Sequence, residues 1–91
     1  MEYIKLNRDI IFHEIFSDNL TFKLFATLLF LSDKNGQIKT SATELTKFSG
    51  LTAAQLRTRL KELESIGEIN RETTNHCSVI QICKYKDYAV D

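Results

Sequence analysis

Two helix-start signals stand eleven residues apart with a single glycine between them, and that spacing leaves the segment few ways to fold. Ser41-Ala42-Thr43-Glu44 fits a capping box, in which the first hydroxyl and the later carboxylate each satisfy a free backbone N–H at a helix start. Thr52-Ala53-Ala54-Gln55 repeats the pattern, and Gly50 suits the left-handed conformation that closes a helix. The segment therefore predicts a short helix over Ser41–Ser49, a glycine stop, and a second helix over Thr52–Ile66 ended by Gly67. The first carries Leu45 and Phe48 on one side; the second carries Ala53, Leu56, Leu60 and Leu63 along one stripe. Two short amphipathic helices joined by a tight turn are the helix-turn-helix pattern.

The flanking segments supply what is needed to bury this pair. Leu20–Ser32 holds nine apolar residues in thirteen, as expected of a central core helix, with Ser17, Asp18 and Asn19 offering its N-cap. Asp33-Lys34-Asn35-Gly36 reads as a turn into a short strand, Gln37–Thr40. After Gly67, Ile69–Thr73 and Ser78–Lys84 read as two strands with Thr74-Asn75-His76 as their bend. Ile80 and Ile82 share one face of the second strand and Val79 and Cys83 the other, so that strand is expected to be apolar on both sides. Nearer the N-terminus, Tyr3–Leu6 suggests a short strand and Asp9–Phe16 a short helix carrying Ile10, Ile11, Ile15 and Phe16. The order predicts an α+β winged helix-turn-helix, a three-helix core with a C-terminal β-hairpin wing, as one domain over residues 1–91. A three-helix bundle with a disordered tail is the alternative, and the β-branched run Val79-Ile80-Gln81-Ile82 argues against it.

Composition narrows the function classes. Ninety-one residues at 43% hydrophobic suffice for one core and are too apolar for a disordered chain. No apolar run approaches the roughly 20 residues of a membrane span, and Met1–Asp9 lacks the apolar stretch of a secretion signal. Cys77 and Cys83, six positions apart on one strand, would lie roughly 20 Å apart, beyond the roughly 7 Å a disulfide tolerates. His13, His76, Cys77 and Cys83 lack the spacing of a zinc site, so no metal or cofactor is expected, and reduced thiols suit the cytoplasm. His13 beside Glu14 has no nucleophile or third orienting group in view, and nothing in the sequence points to an enzyme.

Several stretches resemble a known group. These are Tyr3-Ile4-Lys5-Leu6 with Arg8, Phe22–Leu29, Gly36–Ser41, Ser49-Gly50-Leu51-Thr52, Leu63-Glu64-Ser65-Ile66-Gly67-Glu68-Ile69, Thr73-Thr74-Asn75 and Ile82–Tyr88. Together they resemble the N-terminal winged-helix domain of phage and mobile-element replication proteins, the replisome organisers and DnaD-like initiators. The resemblance runs over nearly the whole chain in the same order. It implies DNA binding, often at a replication origin, within an assembly that loads a helicase. Members of that group usually continue into a linker and a second domain, whereas this sequence stops at Asp91, so it stands alone or is a fragment.

In a helix-turn-helix the second helix enters the major groove. With Leu56, Leu60 and Leu63 inward, its opposite face is Ala54, Gln55, Thr58 and Lys61, flanked by Arg57 and Arg59. Small Ala54 and Thr58 let the backbone approach the bases, and Gln55 has the amide that bonds two atoms of adenine. Thr52 at the helix start and Lys39 and Lys47 nearby complete the set, with Arg71, Thr73, Thr74, Asn75 and His76 on the wing for phosphate or minor-groove contact. Tyr85 and Tyr88, interleaved with Lys84 and Lys86, suit either stacking on unpaired bases or packing of the C-terminal tail. The total charge is zero, yet Lys39 to Lys61 holds five cations and one acid, and Glu62 to Glu68 three acids and no cation. A basic face on a neutral domain predicts modest DNA affinity, duplex or single-stranded, for an isolated monomer. A homodimer or a replication protein as partner would add the rest. The acidic run and zero net charge also fit a second function, a module whose apolar N-terminal segment or wing docks such a protein or a second copy; a small transcriptional repressor is a third.

Overall fold

A computed structural model describes residues 5–73 and 77–90 of the chain. In order the elements are β1 (Lys5–Leu6), a 3-10 turn (Arg8–Phe12), α1 (Glu14–Ser17), α2 (Asn19–Leu31), β2 (Gln37–Thr40), α3 (Ala42–Ser49), α4 (Ala53–Ser65), β3 (Ile69–Thr73), β4 (Ser78–Ile82), α5 (Tyr85–Tyr88) and β5 (Ala89–Val90). The molecule is thus α+β, with an antiparallel three-stranded sheet in the order β2-β4-β3 and a small ladder between β1 and β5.

Helix α2 is the hub, packing against α1, α3 and α4. It starts where Asp18 Oδ1 accepts the backbone N–H groups of Leu20 and Thr21, each at 3.0 Å. Leu24, Phe25, Leu28 and Leu29 are buried in one core with Leu56, Leu60 and Leu63 of α4 and Ile38, Ile69, Ile80 and Ile82 of the sheet. Its last turn departs from the expected all-round burial, since Phe30 is 62% exposed and Leu31 is exposed as well.

The turn between α3 and α4 forms where the caps place it, although of the expected Ser41–Glu44 box only the Ser41 half is made. Ser41 Oγ accepts the N–H of Glu44, and Gly50 closes α3 in the left-handed region at φ 75°. Inside the turn Ser49 is fully buried: its hydroxyl donates to the Leu45 carbonyl at 2.6 Å and accepts the Leu51 N–H at 3.2 Å. The inward positions of α3 are therefore Leu45 and Ser49, one turn apart, and Leu51 fills the adjoining core space. Phe48, expected beside Leu45, is instead 55% exposed, with the Lys47 ammonium 5.8 Å from its ring centre. Ala53 also departs from the expected stripe and is exposed, because the buried seam of α4 begins one turn later at Leu56.

The two predicted hairpin strands pair antiparallel from Ile69 opposite Ile82 to Thr73 opposite Ser78. Ile80 and Ile82 face the core, whereas Val79 is half-buried and Cys83 is exposed just past the strand end, so only one face is fully covered. Thr74, Asn75 and His76, the expected bend, lie outside the described residues, as do Tyr3 and Ile4. The expected helix over Asp9–Phe16 is broken at His13, whose extended backbone and Nδ1, accepting the Ile15 N–H at 3.1 Å, start α1 afresh. This break turns Ile15 into the core and leaves Ile11 and Phe12 exposed. β5 and α5 carried no clear sequence signal; β5 secures the C-terminus by pairing with β1.

Truncating the α4 seam tests this arrangement. Leu63→Ala should lower unfolding free energy by about 2–5 kcal/mol, whereas Phe30→Ser should change it by no more than about 0.5 kcal/mol. Denaturant unfolding of the two variants distinguishes core from surface.

Candidate nucleic-acid interface

Helix α4 presents the sequence's proposed contact face to solvent. Its N-terminus is held by a complete capping box: Thr52 Oγ1 accepts the Gln55 N–H at 3.1 Å, and Gln55 Oε1 accepts the Thr52 N–H at 3.0 Å. Thr52, Ala54, Gln55, Arg57, Thr58 and Lys61 are all exposed. Three of these side chains, Thr52, Gln55 and Thr58, already have internal bonds. The Gln55 carbonyl oxygen already accepts one bond in the cap, which leaves it one lone pair and leaves its NH2 group for an adenine contact. Thr58 Oγ1 donates to the Ala54 carbonyl at 3.0 Å and keeps its acceptor capacity outward.

The two arginines flanking this face behave differently, and here the structure corrects the expectation that both are free. Arg59 Nη1 lies 3.2 Å from Asp18 Oδ2 and 3.0 Å from Glu62 Oε2, and its side chain is only 25% exposed. Helical geometry explains the asymmetry. Arg59 lies about 70° from the centre of the leucine seam and Arg57 about 90° on the other side. The smaller angle brings Arg59 against the start of α2, where the Asp18 carboxylate waits. Arg57 is exposed, and neither it nor Lys61 has an ion-pair partner among the described residues.

Arg71 on the hairpin is also committed, with Nη2 3.1 Å from Glu64 Oε1, a bond that ties β3 to α4. Asn75 and His76 lie outside the described residues, and Thr73 is exposed at the strand end. Lys39 projects from β2 and Lys47 from the last turn of α3, both exposed. Sequence reading missed Lys23. Its ammonium sits over the turn, 3.1 Å from where a Cβ on Gly50 would lie. It comes from α2, distant in sequence, so no local pattern could flag it.

The acidic run Glu62 to Glu68 is used internally. Glu62 holds Arg59, Glu64 holds Arg71, and Glu68 is buried at 2% exposure. Tyr88 Oη donates to Glu68 Oε2 at 2.7 Å, and His13 Nε2 lies 3.2 Å from Glu68 Oε1. His13 Nδ1 accepts the Ile15 N–H, and its Nε2 lies 3.1 Å from Tyr88 Oη. The trio joins the N-terminal segment, the loop between α4 and β3, and α5 around the buried Glu68 carboxylate. Of the two readings of Tyr88, the structure takes packing: it is buried, with its ring 5.0 Å from that of Phe25. Cys77 is half-buried and Cys83 exposed, and among the described residues no group of three or more His, Cys, Asp and Glu is placed to hold a metal. Among the same residues no helix is long and apolar enough to cross a membrane.

Comparisons against protein-family models, curated proteins and solved structures returned no significant match.

Asp18 sets a pH expectation. The Thr21 N–H, then the Arg59 guanidinium and the Leu20 N–H, outweigh desolvation and hold its carboxyl below its ordinary value of 3.8. A carboxyl lowered on folding stabilises the fold above its unfolded value, and that contribution is lost as pH falls through the folded one. Thermal unfolding followed from pH 5 down to about pH 2 should therefore show a smaller loss for Asp18→Asn than for the wild type.

Proposed function

We propose that the protein is a winged-helix DNA-binding protein, with α4 as the recognition helix and the β3–β4 hairpin as the wing. The observation that carries this reading is the outward face of α4. Ala54, Arg57, Thr58 and Lys61 stand exposed in one strip, its two cations without carboxylate partners among the described residues. Small residues beside unpaired cations let a helix backbone approach the major groove while phosphates are neutralised. The order α2, β2, α3, tight turn, α4, antiparallel hairpin supports it, because that order packs a recognition helix onto a core and sets a hairpin beside it. Lys23, Lys39 and Lys47 are the further candidates for phosphate contact; Arg59 and Arg71 are not, given their carboxylate partners. Action in the replication, or its control, of a phage or mobile genetic element is the part of the proposal that rests on the sequence resemblance.

A second reading is favoured by one observation. Phe12 is 86% exposed, and Ile11, Phe16 and Phe30 are also exposed, an unusual apolar display for a chain of this size. Docking of a second copy through the N-terminal segment would cover such side chains. In that case light scattering gives a dimer that Phe12→Ser converts to a monomer.

A salt titration tests the DNA reading. Binding to a duplex should weaken steeply as salt rises, with a log–log slope of about three to five in magnitude. Changing Arg57 and Lys61 together to Ala should reduce that slope by about two. A flat salt response, or an unchanged slope in the double variant, would reject α4 as the contact surface.

A further inference from the structure

We infer that Arg59 is a positioning residue: held between Asp18 and Glu62, it ties the middle of α4 to the start of α2 and sets the angle at which Arg57, Thr58 and Lys61 meet DNA. This rests on the DNA-binding reading of α4 given above.

The Asp18 carboxylate does two jobs with its two oxygens. Oδ1 accepts the N–H groups that begin α2, and Oδ2 receives Arg59 of α4. One side chain therefore caps the start of the hub helix and holds one flank of the proposed recognition helix. Glu62, three residues on along α4, aims the guanidinium but links nothing outside its own helix. Of the two carboxylates on Arg59, Asp18 is the one that reaches α4 from the start of α2. The Nε of Arg59 is shielded from solvent, so the side chain lies along the protein and not outward. An approaching phosphate would meet Arg59 already flanked by two carboxylates, which repel it.

The angle matters because groove contacts tolerate little displacement. A side-chain head on a helix surface sits about 5–6 Å from the axis, so a turn of about 20° moves it roughly 2 Å. Hydrogen bonds fade over less than that, and recognition sites need rotational precision of about 10–20°. Leucine packing along the seam fixes which face is outward. A directional bond to one side of that seam resists the remaining rotation.

The test is a duplex-DNA titration by fluorescence anisotropy across salt. It uses the full chain, at a temperature where circular dichroism shows every variant folded. Asp18→Asn keeps a capping acceptor for α2 and removes the charge that holds Arg59. Arg59→Met keeps the stem and removes the cation, and Arg59→Lys restores a cation between the carboxylates. The inference predicts that Asp18→Asn and Arg59→Met each weaken binding roughly five-fold, with the salt slope unchanged to within about half a unit. Arg59→Lys should recover most of the loss. Removing an acid should by itself strengthen binding to a polyanion, so weaker binding by Asp18→Asn is the diagnostic sign. Tighter binding by Asp18→Asn would make Asp18 a mere competitor of DNA. A slope reduced by about one in Arg59→Met would make Arg59 a direct phosphate contact. Unchanged affinity in both would show that the angle needs no such tie. Each of these three results overturns the inference and leaves DNA binding by α4 standing. A wild-type chain without salt-dependent binding removes both.

Discussion

The rotation of α4 about its own axis governs what its surface can do, and burial of Leu56, Leu60 and Leu63 against the core of α2 and the sheet sets that rotation first. Each buried leucine contributes on the order of 1.5–3 kcal/mol, and a partly exposed ion pair is a small term beside three of them. The seam therefore decides which residues face solvent, and the Asp18–Arg59–Glu62 contact acts only as a fine adjustment. The division follows from chemistry. Apolar packing is strong and non-directional, whereas a guanidinium held by two carboxylates is weak and directional.

That adjustment changes how the charge of the chain is to be understood. The sequence separates a basic stretch from an acidic one, and the separation suggests two opposed surfaces. In the folded chain the acidic stretch is spent: Glu62 and Glu64 neutralise Arg59 and Arg71, and Glu68 is buried under Tyr88 and His13. The cations left without ion-pair partners among the described residues include Arg57, Lys61, Lys39, Lys47 and Lys23. The acidic run is thus engaged within the chain, and the exposed aromatic side chains of the N-terminal segment are the stronger argument for a docking surface.

Local chemistry was legible in the sequence and tertiary chemistry was not. The Thr52 capping box, the Ser41 half of the earlier one, the Gly50 stop, the seam of α4 and the two hairpin strands follow from rules that reach four residues or fewer. Phe48 and Ala53 were misplaced because helical periodicity gives the angle of a residue and not whether the core extends to meet it. The engagement of Arg59 was half legible. Its small angle to the seam is in the sequence, but its partner Asp18 belongs to another helix. The same limit hid Lys23 beside Gly50, the His13–Glu68–Tyr88 contact and the pairing of β1 with β5, all of which join residues far apart along the chain.

The most direct test of the central claim is amide chemical-shift mapping of the labelled chain during titration with a short DNA duplex. The account predicts that the largest shifts fall on Ala54, Arg57, Thr58 and Lys61, with the turn at Gly50 affected next and the Phe12 and Phe30 amides unmoved. Shifts centred on Phe12 and Phe30, or an α4 indifferent to DNA, would contradict it.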